Sequence, residues 1–352
     1  MRVVKDSGEL IDFVPDQVCP LRVNDLRTVE IAPLHRAQLH FSSKHLSVDG
    51  VEESQKGPMS IGIEFHDAPL PYALVPGGWL PVPFVIPQKF LVDRNVLATF
   101  KKIRNNSPRA DDKAFGSWTA FWDDGAPQFN PLPYAYEAGF RRMPSYREFV
   151  SAFDDGASEL RLALPNVDIV RFDKHSYEVA YGELQQLCTR NLREQSFLLE
   201  VIPMVLNRLS GSRQKTIVND IIIVADNQKL QRQSFVVLAA LSCVFEDASG
   251  SAFQIGRRVL KPMANYADGD AYNAISDLRN IELTAVTQAM FPNEPFALCT
   301  NDRAVAYLWS ALAPRAALRE DRSIGLTFDI STELLPRLNN EEIAELKQRL
   351  VK

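Results

Sequence analysis

The chain has 352 residues, of which 46% are hydrophobic and 24% charged, with a net charge of −5. This is the balance of an ordinary globular protein of one large or two smaller domains, and the acidic net charge means that any polyanion must meet a local basic patch. No apolar run approaches the roughly 20 residues a membrane helix needs, and the N-terminus "MRVVKDSGEL" lacks the apolar stretch of a signal peptide.

Residues 1–88 read as a β-rich module. "TVEIAP", "AQLHFSS" and "MSIGIEF" carry β-branched and aromatic residues in rough alternation. The segment "APLPYALVPGGWLPVPFVIP" (68–87) is too rich in Pro and Gly for a regular helix and reads as a loop-rich β module or an extended strap. Residues 89–352 form the second unit. "KFLVD" is a short buried strand and 94–104 an amphipathic helix, followed by a loop over 105–118. Helices are predicted over 144–164, over 177–209 with a break at Pro203, over 216–230 and over 234–247. The clearest amphipathic helix spans 269–290, and a further helix 301–312 follows the strand 295–300. Strands at 167–172 and 324–331 and a charged helix over 332–350 complete the pattern. Strands alternating with helices predict an α/β fold with a mainly parallel sheet flanked by helices.

The four cysteines (Cys19, Cys188, Cys243, Cys299) form no C-x-x-C pair, and the expected location is a reducing cytoplasm. Phosphate-binding glycine motifs, G-x-S-x-G and H-E-x-x-H are missing from the sequence.

Two acids follow apolar strands at once: Asp93 after "FLV" and Asp302 after "FALCTN". An acid in that place is an ordinary helix N-cap. Ligands of open α/β sheets, however, sit at the carboxyl ends of the strands, where two such acids converge. "FLVDRNVL" resembles the opening strand of the PIN-domain nucleases, "LCTNDRAVA" resembles their late T-x-D motif, and "IELTAVTQAM" is similar to the acid-bearing helix between them. The resemblance spans residues 89–312. It implies a PIN-like metal-dependent nuclease, cutting RNA in preference to DNA.

By this resemblance Asp93 and Asp302 are the first and last acids and Glu137 the second, while the third is Asp277 or Glu282. Those last two lie five residues apart on one predicted helix, so they point about 140° apart. The implied catalytic set is Asp93, Glu137, Asp277, Glu282 and Asp302; the implied metal ligands are Asp93, Glu137, Asp277 and Asp302. Carboxylates suit Mg²⁺ or Mn²⁺, hard ions that take oxygen ligands. Arg94, Asn95, Lys101, Arg141, Arg142, Thr300 and Arg303 lie beside these acids in sequence and are the expected phosphate and substrate contacts. The aromatic loop "GSWTAFWDDG" (116–125) either stacks bases or packs on the core. Expected partners are nucleic acid, a second copy of the chain in a homodimer, and a protein partner or inhibitor at the N-terminal module; no membrane contact is expected. The competing readings are a PIN-fold binding or scaffold protein with an eroded acid site, and a toxin-like nuclease silenced by a partner.

Overall fold

The computed structural model describes residues 2–4, 8, 10–26, 35–48, 50–52, 58–65, 71–85, 89–107, 115, 122, 127–137, 139–246, 254–294, 296–318 and 324–351. Of the expected elements, "TVEIAP" and most of the 105–118 and 116–125 loops lie outside these residues.

An antiparallel sheet comes first, made of β1 (Arg2–Val4), β2 (Leu10–Val18), β3 (His35–Val48), β4 (Val51–Glu52) and β5 (Pro58–Phe65). The long β3 is its spine, with β2 on one edge and β5 on the other.

The second sheet has six strands in the order β10–β9–β8–β11–β6–β7. These are β6 (Tyr72–Val75), β7 (Gly78–Pro81), β8 (Lys89–Val92), β9 (Gln128–Asn130), β10 (Asp168–Ile169) and β11 (Phe296–Thr300). The first four in that order are mutually parallel, while β6 pairs antiparallel with both β11 and β7. The strands β6, β7 and β8 are almost wholly buried, which explains why they read as continuous apolar runs rather than alternating ones. The sheet is therefore mixed, parallel in part, and flanked by helices.

Residues 72–81 of the 68–87 segment thus form a hairpin on the central sheet, and a boundary after residue 88 cuts through that sheet. Gly77 and Gly78 lie at the hairpin's turn. At Gly78 an added Cβ would lie 2.1 Å from the Leu21 carbonyl oxygen, so only glycine lets the Leu21–Trp79 bridge close. Trp309 ties the hairpin down from the other side, its indole N–H donating to the Val75 and Gly78 carbonyls at 2.8 and 2.7 Å.

The helices are α1 (Arg94–Arg104), α2 (Leu132–Glu137), α3 (Tyr146–Ala163), α4 (Lys174–Gln186), α5 (Cys188–Val205), α6 (Gly211–Asn227), α7 (Phe235–Val244), α8 (Ile255–Leu260), α9 (Asp268–Met290), α10 (Arg303–Leu312) and α11 (Asn340–Val351). Ser145 and Glu148 form a capping box that starts α3. All ten residues of α7 are buried, so the apolar run 234–247 is a core helix rather than a strand.

Several expectations are corrected. The break in 177–209 falls at Leu187, between α4 and α5; Pro203 sits in the last turns of α5, where few carbonyls remain to lose a donor. The closing helix begins at Asn340, not 332, because Pro336 interrupts it and Asn339 caps it, its side-chain oxygen accepting the Glu341 and Glu342 N–H groups. The strand predicted at 324–331 is the shorter β13 (Ile324–Thr327), paired only with β12 (Arg315–Leu318) in a separate hairpin. Among the described residues no helix is long and apolar enough to cross a membrane.

Candidate active site

The chain enters the parallel sheet at its middle, on β8. It moves outward through β9 and β10, then returns to lay β11 on the other side of β8. The strand order reverses between β8 and β11, and a crevice opens at the carboxyl ends of strands where this happens. Asp93 follows β8 and Asp302 follows β11. The parallel register sets Cys299 opposite Val92, so both strands end at the same level.

Asp93 is 2% exposed and is a cap as well as a site residue. Its Oδ1 accepts the Asn95 backbone N–H at 2.9 Å, and its Oδ2 accepts the Thr300 hydroxyl. That hydroxyl also accepts the Asp302 N–H at 3.0 Å. Asp302 caps α10 in turn, taking the Ala304 and Val305 N–H groups at 2.8 and 3.3 Å. One threonine hydroxyl thus joins the two acid positions through two hydrogen bonds.

Two further acids face this pair. Glu137 ends α2 and meets the Arg94 guanidinium at 3.1 Å; Asp277, on α9, lies 3.9 Å from the Lys261 ammonium. Both side chains are only 13% exposed. Each of the four carboxylates feels the charge of the other three. Burial, then the Glu137 charge, pushes the Asp93 carboxyl up to about 7, against the hydrogen bonds from Thr300 and Asn95. Burial also raises Glu137, opposed by Arg94, and holds Asp277 well above the ordinary carboxylate range with help from Asp302 and against Lys261.

Glu282 is not in this group. Its carboxylate is held bidentately by Arg190, on the other side of α9 from Asp277, as the helical angle between them requires. The third acid at the strand ends is therefore Asp277.

The basic candidates divide. Arg94 and Arg303 open the two capped helices beside the acids, and exposed Arg141 follows Glu137 in the turn that packs on Gly269 at the start of α9. Asn95 is exposed in the first turn of α1. Two further basic residues are already paired with acids. Arg142 is engaged bidentately by Glu148 at 2.7 and 3.0 Å, and Lys101 lies 3.9 Å from Glu159 and over the Tyr134 ring. Lys101 thereby links α1 to α3, and Arg142 holds the first turn of α3. Trp122 of the aromatic loop is buried against Phe90 and Phe129, so it belongs to the core.

Sequence reasoning missed Lys261 and Asn301. Lys261 caps α8 in a left-handed conformation (φ 49°), and only the fold carries it to Asp277. Asn301 donates to Thr99 at 2.9 Å, while its side-chain oxygen is buried with no hydrogen-bond partner.

Among the described residues no three His, Cys, Asp or Glu side chains stand close enough to hold one ion as placed. The donor set nonetheless fits a hard divalent cation in type and charge. The four carboxylates gather with Arg94 and Lys261 among them, and the raised pKa values of Asp93, Glu137 and Asp277 mark a deficit of positive charge. No family model, curated protein or solved structure matches the chain.

Proposed function

We propose that this acid site hydrolyses phosphodiester bonds in nucleic acid, in the manner of the PIN-like nucleases that the sequence resembles. The observation that carries the reading is the convergence of Asp93, Glu137, Asp277 and Asp302, from four separate elements, on the topological switch point of the sheet. Their charge and oxygen-only chemistry suit Mg²⁺ or Mn²⁺, which when bound supplies the positive charge that activates water and stabilises the leaving oxygen. Thr300 orients Asp93 by its hydroxyl, and the α10 N-terminus orients Asp302. Arg94, Arg141 and Arg303 offer guanidinium groups to the phosphate backbone. The preference for RNA over DNA rests on the resemblance alone.

The test is cleavage of end-labelled single-stranded RNA and DNA with Mg²⁺ or Mn²⁺, against EDTA and against Asp93→Asn and Asp277→Asn. Cleavage that needs metal and both acids supports the reading. Cleavage that persists in EDTA or in both variants overturns it.

One observation favours a binding role over catalysis. Arg94 and Lys261 already contact Glu137 and Asp277, as expected of an acid site that no longer loads metal. Under that reading the wild type cleaves nothing, shows no metal response, and still binds RNA or a protein partner.

A further inference from the structure

On the side of α9 away from Asp277 lies a cavity of about 560 Å³, within the range of small-molecule sites. Ile275, Leu278, Arg279 and Glu282 line it at helical spacing (i, i+3, i+4, i+7), so one stripe of α9 forms its wall. The start of α7 and the β13 hairpin strand close it, with Phe235 and Phe328 meeting edge to face at 4.7 Å.

Arg279 is the unusual feature. It is 3% exposed, and all three nitrogens of its guanidinium lack a hydrogen-bond partner. One face lies over the Tyr272 ring, 5.7 Å from its centroid, which leaves the N–H edge unused. A buried arginine with five idle donors is costly unless something accepts from it. Of the nearby acids, Glu282 is held bidentately by Arg190, and Glu194, 3.3 Å from Arg190, feels the Arg279 charge but makes no hydrogen bond to it. A second, independent donor array faces the same space. Ser234, at the N-cap of α7, has a buried hydroxyl with no partner, and Phe235 and Val236 of the first turn line the cavity. A helix N-terminus with free N–H groups is a ready site for an anion. Exposed Arg193 and Lys229 add positive charge at the lining.

We propose that this cavity binds a small organic anion, whose phosphate or carboxylate head sits between Arg279 and the α7 N-terminus and whose apolar part packs on Phe235, Leu278 and Phe328. The site is separate from the four acids and needs no metal.

Thermal melts of the full chain in EDTA test it, with phenyl phosphate, benzoate, inorganic phosphate and phenol as probes. Phenyl phosphate or benzoate should raise the melting temperature saturably by about 2–4 °C at a hundredfold excess over its dissociation constant. Which of the two shifts more identifies the head group. Phenol should do nothing, and inorganic phosphate should act more weakly than its phenyl ester. Arg279→Met should abolish the shift and, by removing a buried unpaired charge, should not lower the ligand-free melting temperature. Arg193→Glu, a surface change that leaves the core intact, should weaken binding severalfold. Absence of a saturable shift with either organic anion, an equal shift with phenol, or an undiminished shift in Arg279→Met or in Arg193→Glu overturns the proposal.

Discussion

The Thr300 hydroxyl donates to the Asp93 carboxylate across 207 residues of sequence, locking the end of β11 to the end of β8. The same oxygen accepts the Asp302 N–H, so one group serves both acids. Thr300→Val keeps the shape and removes both bonds. It leaves a buried carboxylate oxygen and a backbone N–H unsatisfied, which costs about 1–3 kcal/mol each. Thr300→Ser keeps the hydroxyl and should cost about 1 kcal/mol, through one lost methyl. Urea unfolding of the three proteins checks this; Val and Ser variants of equal stability would show that the bond contributes nothing.

The raised Asp93 pKa sets a pH signature. The carboxyl moves from an ordinary 3.8 to about 7 on folding. A group that holds its proton more tightly when folded favours folding below its unfolded pKa, and that stability is lost as pH rises through the folded value. In chelator the wild type should therefore weaken between about pH 4 and 7 relative to Asp93→Asn, which has no proton to lose there. Urea midpoints at pH 5, 6, 7 and 8 measure the difference. Parallel curves for the two proteins would contradict the buried, crowded carboxyl.

Metal response separates a shared site from four unrelated helix caps. Asn caps a helix as well as Asp does, so Asp302→Asn should keep its bonds to Ala304 and Val305. Under the proposed function it should still lose the stabilisation that Mn²⁺ gives the wild type by binding only the folded state. Asp277→Asn should behave alike, whereas Glu282→Gln should retain the full response because Arg190, not the acid group, holds Glu282. Melts with and without Mn²⁺ distinguish these cases. Equal metal shifts in all four proteins would remove the case for a common site.

Trp309 is fully buried and gives its N–H to both carbonyls that flank the β6–β7 turn. Trp309→Phe removes that donor and opens space beside the hairpin, at a cost of about 2–4 kcal/mol. Hydrogen exchange should show the loss first at the β6 and β7 amides, on the sheet's outer edge. Unchanged exchange there would mean that the Leu21–Trp79 bridge alone holds the hairpin.

The sequence by itself determined the local elements whose causes are local. "FLVD" reads as a buried strand running into a capped helix, and Asp93 does end β8 and cap α1. Asp302 caps α10 in the same way, and the apolar periodicity of 269–290 marks α9 to within a residue. Where the reading left alternatives open, distant partners decided. Pro and Gly in 68–87 excluded a helix but left a β module and an extended strap both open, and pairing with β11 and the two bonds from Trp309 make residues 72–81 a sheet hairpin. The sequence left Asp277 and Glu282 both open as the third acid, and the packing of α9 turned Asp277 toward the strand ends and Glu282 toward Arg190. Nothing near Glu137 in sequence names Arg94, and nothing near Asp277 names Lys261. Charges interact through space and fall off with distance, so which carboxylates crowd together, and which cations relieve them, is a property of the tertiary structure. The idle guanidinium of Arg279 follows the same rule. A sequence shows an arginine on a helix; only the packed molecule shows that it is buried with nothing to bind.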